Sequence, residues 1–322
     1  MTALLLLLCS AGWVEPVAEA PRSTVLVVVG AEGTDEYGQQ FRQWTDRWGT
    51  AAKRGHANFV SIGLDAAEKT DDRELLKQRL SEAAKSGNTP LWLVLIGHGT
   101  FDGKVARFNL RGPDVSASEL AEWLKPIERP VAIINCTSSS GAFLNELSGP
   151  NRVVITATKS GHEYNFSRFG DYLSSAISDP QADLDKDEQT SLLEAYLLAS
   201  SRVREFYASE GRLMTEHALL DDNGEKLGTP ADWFQGVRAT KSAKNGAVVD
   251  GLRAAQWHLV RSPREERLTA EVRARLDEIE QELARLRMTK TQLAEDEYLK
   301  QIEPLHVELA KLYANAAGPS EK

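Results

Sequence analysis

Residues 91–100 read LWLVLIGHGT, and residues 131–141 read VAIINCTSSSG. Each stretch begins with a run of apolar, largely β-branched or leucine residues that is typical of a buried strand, and each ends in small or polar residues. Parallel sheets place ligands at the carboxyl ends of their strands, so we expect His98 and Cys136 to lie at the same edge of one sheet. An imidazole beside a thiol is the arrangement of a base and its nucleophile.

Strands and helices alternate along the rest of the first two thirds of the chain. We predict further strands at 23–30, 58–62 and 153–157, with a short hairpin arm at 104–110. Asp71 and Ser116 are each followed three residues later by Glu, a pattern that predicts a helix start. We predict helices at 36–53, 71–84, 116–124, 172–177 and 192–207. This alternation predicts an α/β fold with one doubly wound, mostly parallel sheet covered on both faces.

The composition changes after this region. We predict that the α/β domain covers 21–234, that 235–266 is a linker and that 267–315 forms a helical hairpin. Pro304 is predicted to kink or restart the second helix. The hairpin either folds back on the first domain or forms a coiled coil that binds a protein partner or a second copy. Apolar residues recur there at spacings of three and four, at Leu268, Val272, Leu276, Ile279, Leu283 and Leu286.

The charge and hydrophobic content limit the classes of function. The chain has 322 residues, 42% of them hydrophobic, and a formal net charge of −9. It can therefore bury a large core, and it presents no broad basic field. We expect a soluble enzyme or binding protein and no nucleic-acid partner.

Residues 1–20 resemble a signal peptide. The apolar run from Leu4 to Val14 is too short to span a bilayer, and Ala18-Glu-Ala20 resembles a cleavage site. We therefore expect an exported chain, periplasmic or extracellular, with no membrane span after cleavage. An uncleaved leader is the alternative, because Met1-Thr-Ala3 carries no basic side chain. Once the leader is removed, Cys136 is the only cysteine, either buried and inert or available for chemistry.

The two strand ends resemble those of the caspase-like cysteine peptidases, which include legumains, caspases, metacaspases and gingipains. In that group an apolar strand ends in His-Gly, and a later strand ends in the catalytic Cys. The resemblance covers about residues 24–234, and Thr156-Ala-Thr158 and Phe169-Gly-Asp-Tyr172 are most similar to legumains and their bacterial relatives. It implies a caspase-like α/β/α sandwich and a cysteine endopeptidase that hydrolyses protein or peptide substrates without a required cofactor.

The resemblance also implies the role of each catalytic residue. Cys136 would be the nucleophile, His98 the acid and base, and the amides of Gly99 and Cys136 the donors to the oxyanion. Such donors contribute a few kcal/mol to catalysis. A strand-end His can also be a turn residue, and a free Cys is often a buried apolar group. The alternative is therefore an inactive caspase-like scaffold that binds partners through its C-terminal helices.

Specificity is expected to differ from that of legumains. Ile134 stands where an acidic residue would line their primary pocket, and residues 30–38 lack the Arg that they use. Asp171 matches a legumain pocket carboxylate by its Gly-Asp-aromatic context, and Glu163 lies on a nearby loop. If both face the pocket, a basic substrate side chain is expected. The alternative for Asp171 is a helix cap.

An acidic segment has the spacing of an EF-hand loop and predicts a Ca²⁺ site. Its sixth position is Glu188 instead of the Gly that the sharp turn requires. The alternative is a solvated acidic loop whose Glu194 begins a helix. The predicted ligands are Asp183, Asp185, Asp187, Gln189 and Glu194.

Overall fold

The computed structural model describes residues 22–64, 71–85, 87–241 and 249–316; the predicted signal peptide lies outside them. The larger strands are β1 (Thr24–Val29), β2 (Asn58–Ile62), β3 (Leu91–Ile96), β7 (Val131–Asn135) and β8 (Arg152–Thr156). The shorter strands are β4 (Gly99–Phe101), β5 (Ala106–Phe108), β6 (Val115–Ser116), β9 (Leu219–Asp221), β10 (Thr229–Pro230), β11 (Phe234–Gln235) and β12 (Arg238–Ala239). The helices are α1 (Asp35–Arg54), α2 (Asp72–Ala83), α3 (Ala117–Leu124), α4 (Gly141–Leu147), α5 (Phe169–Ala176), α6 (Leu192–Ser209), α7 (Pro263–Glu266), α8 (Ala270–Met288) and α9 (Glu295–Ala316).

The central sheet has seven strands in the order β10-β9-β8-β7-β3-β1-β2. The five larger strands are parallel, whereas β9 and β10 pair antiparallel at one edge. Strands β3 and β7 are direct neighbours, with Leu95 opposite Asn135. The two stretches that end in His98 and Cys136 therefore leave the sheet side by side, as expected for the carboxyl ends of parallel strands.

Helices cover both faces of this sheet, because successive side chains of a strand point to opposite faces. Trp92, Val94 and Ile96 of β3 pack in a core with residues of α1, α5 and α6, and Leu91, Leu93 and Leu95 pack with residues of α2, α3 and α4. All residues of β3 are buried. The predicted α/β/α sandwich with a mostly parallel sheet is confirmed.

Side-chain caps start the helices at the predicted positions. The Asp71 carboxylate accepts from the Glu74 N–H at 2.7 Å. Ser116 and Glu119 form a reciprocal capping box at the start of α3. Each cap satisfies N–H groups that have no partner within the helix, which typically stabilises it by about 1 kcal/mol.

Part of the segment predicted as a linker packs against the sheet. Trp257 and Leu259 lie in the hydrophobic core, and the Trp257 ring lies 5.1 Å from that of Trp92. Helix α8 follows, and Gln256 donates to the backbone carbonyl of Asp277 on it. This contact fits the folded-back arrangement of the hairpin.

Helices α8 and α9 pair with each other. Arg275 forms two hydrogen bonds with the Glu308 carboxylate, at 2.7 and 2.9 Å. Pro304 lies inside α9, which continues through it. None of the helices in the described part of the chain is long and apolar enough to cross a membrane.

Candidate active site at the carboxyl ends of β3 and β7

His98 follows β3 through a glycine turn. Gly97 has φ +150°, a value that favours glycine. The imidazole Nε2 lies 3.2 Å from the backbone carbonyl oxygen of Glu32. A carbonyl can only accept, so Nε2 carries the proton in the neutral ring and Nδ1 has a free lone pair. This is the tautomer of a general base.

Aromatic rings hold the His98 imidazole in place. The Tyr37 and Phe41 rings of α1 lie 5.0 and 5.5 Å from it, both nearly edge-on, and the Phe166 ring, which stacks on Tyr37, lies 6.2 Å from it. These contacts restrict rotation of the ring, so the hydrogen bond to Glu32 persists. Sequence reasoning missed Glu32, because a backbone carbonyl can come from any residue type.

The Cys136 thiol lies in the core. Its side chain is 1% exposed and belongs to the cluster formed with α1 and α5. A Cβ added to Gly170 of α5 would lie 2.7 Å from the Cys136 Cβ and 2.8 Å from the Trp44 ring, so only glycine fits there. Burial raises the pKa of the thiol to about 12. In this conformation Cys136 is a protonated core residue.

The two predicted catalytic residues do not contact each other through a hydrogen bond. Among the hydrogen bonds of the described residues, none joins His98 to Cys136. The Cys136 N–H donates to the Leu95 carbonyl at 2.9 Å, and the Gly99 N–H donates to Ser138 Oγ at 3.3 Å. Both predicted oxyanion donors are therefore already engaged. The structure brings the two strand ends together, but no hydrogen bond joins the groups that would react, and the thiol is buried.

The side chains of Thr137 and Ser138 both lie beside Gly99. A Cβ added to Gly99 would lie 2.7 Å from Thr137 Oγ1, and that hydroxyl donates to Asn135 Oδ1 at 2.7 Å. The Asn135 Nδ2 group is buried and has no partner among the described residues. Leaving such a donor unpaired costs about 1–3 kcal/mol. Sequence reasoning singled out neither residue; the polar run after β7 was the available signal.

The two predicted specificity carboxylates are paired within the protein. Asp171, in the first turn of α5, forms an ion pair with Arg47 of α1. Glu163 binds the His217 ring, and its backbone carbonyl accepts from the Ser139 N–H at 2.8 Å. Asp171 thus joins two helices, and Glu163 supports the turn after Cys136. In this conformation both carboxylates already have cationic or N–H partners.

Three carboxylates converge in the acidic loop. The ligand atoms of Asp183, Asp185 and Asp187 all lie within 4.8 Å of one another. Burial, followed by repulsion from Asp187, raises the pKa of Asp185 to about 6. Glu188 takes φ +71°, so the chain makes a left-handed turn at the position where the motif has Gly.

The other two predicted ligands are engaged elsewhere in this conformation. Glu194 accepts from the Leu184 N–H through one oxygen and from the N–H and hydroxyl of Ser191 through the other. It forms the capping box of α6, which is the alternative considered for this residue. Gln189 donates to Asp187 and accepts from the Ser262 N–H.

Comparison with known proteins gives structural neighbours only. No protein-family model matches the chain, and no curated protein matches it in sequence. Caspase-1 from Spodoptera frugiperda is similar in structure, with 9% identity, a TM-score of 0.42, and coverage of 63% of this chain and 86% of the caspase. The Drosophila initiator caspase Dronc is similar with 13% identity, a TM-score of 0.41, and coverage of 64% and 81% respectively.

We expect slow alkylation of Cys136 in the folded protein. Because the thiol is buried and its pKa is raised to about 12, iodoacetamide should label it far more slowly between pH 8 and 10 than after unfolding in guanidinium. Mass spectrometry of the peptide that carries Cys136 measures the rate. Labelling of the folded protein as fast as that of glutathione would show that the thiol is exposed in solution.

Ca²⁺ binding to the acidic loop stays a prediction of its sequence. Added CaCl₂ should raise the unfolding temperature, and the effect should weaken below about pH 6, because Asp185 must lose its proton to bind a cation. Asp185→Asn should remove the effect, whereas Asp46→Asn, at an exposed site on α1, should retain it. No Ca²⁺-dependent shift at pH 7.5 would leave the loop structural.

Proposed function

We propose that the chain is an exported cysteine endopeptidase of the caspase-like type, with His98 as the base and Cys136 as the nucleophile. The observation that supports this function best is the orientation of His98. Its Nε2–H donates to the Glu32 carbonyl, which leaves Nδ1 free to accept a proton at the edge where the Cys136 strand also ends. The His-Gly and Cys strand ends, which resemble those of this peptidase group, support it as well.

The reaction would begin with proton transfer. His98 Nδ1 takes the thiol proton, and the Cys136 thiolate attacks the peptide carbonyl carbon. The negative charge that forms on the carbonyl oxygen requires N–H donors, and the Gly99 N–H can serve once it releases Ser138. The imidazolium then gives its proton to the leaving amine, and water hydrolyses the thioester that remains.

This chemistry requires a more open conformation around Cys136. With a thiol pKa of about 12, forming the thiolate in place would cost on the order of 4 kcal/mol more than in water. Movement of the start of α5, where Gly170 contacts Cys136, would expose the sulfur. The peptidase therefore works from a conformation in which this contact is broken.

Cys136→Ala and His98→Ala should each abolish hydrolysis of a mixed peptide library. Wild-type protein should also react covalently with a thiol-directed peptide probe, and Cys136→Ala should not. His56→Ala, at an exposed position outside the site, is the matched control and should keep full activity. Residual wild-type hydrolysis by Cys136→Ala would exclude Cys136 as the nucleophile.

A second candidate function is a non-catalytic scaffold that binds a protein partner or a second copy through α8 and α9. Two observations favour it. The Cys136 thiol is buried, and the Thr137 hydroxyl, not the thiol, lies beside Gly99. Helix α9 also exposes apolar side chains at Leu299 and Val307. Exposed apolar side chains of this kind suit a protein contact.

Leu299→Glu combined with Val307→Glu separates the two candidates, because it places charge at the exposed apolar positions of α9. Under the scaffold proposal, self-association of the wild type, measured by sedimentation velocity, should be lost in this double variant, and neither protein should react with the peptide probe. Lys300→Gln, at an exposed position on the same helix, is the matched control and should leave self-association unchanged. Reaction of the wild type with the probe at Cys136, retained by the double variant, would reject the scaffold proposal.

A further inference from the structure

A cavity of about 350 Å³ lies close to the candidate active site, between α6 and the segments around residues 214–218 and 230–232. A cavity of this size can hold one large side chain. Its apolar wall includes Ala157, Phe169, Val203, Met214, Ala218 and Pro230.

The charged groups of this cavity already have partners. Glu216 is 2% exposed and accepts from the Ser167 hydroxyl and from the N–H of Phe169, among others. His217 binds Glu163, and Asp232 forms an ion pair with Lys241. A basic side chain entering the cavity would lose water and find Glu216 and Asp232 already engaged, which is costly.

Arg204 is the remaining charged group of the lining. It lies exposed at the rim and donates to Ser201 Oγ at 3.1 Å. Leu213, which precedes the lining residue Met214 in the chain, is 90% exposed. A large apolar side chain in water beside an apolar cavity is typical of a binding surface.

Two residues of the cavity wall, Ala157 and Phe169, adjoin the segments around Cys136. Ala157 follows β8, and its N–H donates to the Asn135 carbonyl at 2.9 Å, one residue before Cys136. Phe169 precedes Gly170, the residue packed on Cys136. A peptide bound across the ends of β7 and β8 could place one side chain in the cavity while its backbone passes the Cys136 turn.

We propose that this cavity is the specificity pocket and that it takes a large apolar side chain, such as Leu, Met or Phe, of an extended peptide. This inference rests on the proposed function, because it takes the bound peptide to be the substrate of the peptidase. It replaces the expectation of a basic side chain, because Asp171 and Glu163 are paired within the protein. The apolar wall supplies the affinity, and the carboxylates of Glu216 and Asp232, which are already engaged, offer no free counter-charge to a basic side chain.

Selection of peptides from a phage-displayed random library tests the proposal. Full-length Cys136→Ala protein is the bait, so that bound peptides survive. Selected peptides should share one position occupied by Leu, Met or Phe. Ala218→Trp, which fills the cavity, should weaken binding of a selected fluorescent peptide about tenfold or more, and Ala208→Trp, at the exposed end of α6, should not.

A further variant should change which side chain the cavity selects, a result that a folding defect cannot produce. Met214→Asp adds a carboxylate to the wall, so selection should shift from apolar to Lys or Arg at the shared position. Selection of charged peptides by the Cys136→Ala bait, selection of no binder, or equal binding by the two Trp variants would overturn the proposal. Pocket-dependent binding without wild-type hydrolysis would retain the pocket and reject the peptidase.

Discussion

The directions in which the residues at the end of β7 point determine which groups of the candidate site are buried and which lie beside Gly99. Strand β7 pairs with β3 and β8, so its backbone direction is set by two parallel ladders. Ile134 and Cys136 face the core under α1 and α5, and Thr137, one residue on, lies beside Gly99. Cys136 keeps the direction of Ile134 because its N–H still bonds to Leu95 of β3, whereas Thr137 lies past the end of the strand.

The same packing explains why the site is closed. The Cys136 N–H continues the ladder to Leu95, and Gly170 lies against the Cys136 side chain without a Cβ between them. The raised pKa of the thiol follows from this close packing. The Asn135 amide, which has no partner in the described part of the chain, and the left-handed Ser139, at φ +56°, show that the turn after β7 holds its conformation at some cost. A turn of this kind can change conformation when a peptide supplies new partners.

Acidic side chains around the edge mainly serve the fold. Glu216 accepts N–H groups at the start of α5, Glu194 caps α6, and Asp171 joins α5 to Arg47 of α1. These interactions hold the loops that follow β8 against the sandwich. Because these carboxylates are engaged, the apolar cavity beside Phe169 suits an apolar side chain of a peptide better than a basic one.

The sequence alone determined the α/β/α sandwich, because the buried strands and the capping patterns at Asp71 and Ser116 are local signals. It also placed His98 and Cys136 at the carboxyl-end edge of one sheet, and the structure showed that their strands are direct neighbours. Only the tertiary structure decided where their side chains point, which carbonyl orients His98, and which N–H groups near Gly99 are engaged. These features depend on contacts between segments far apart in the chain, such as Gly170 on Cys136 and Glu32 at His98, and no local pattern of residues encodes them.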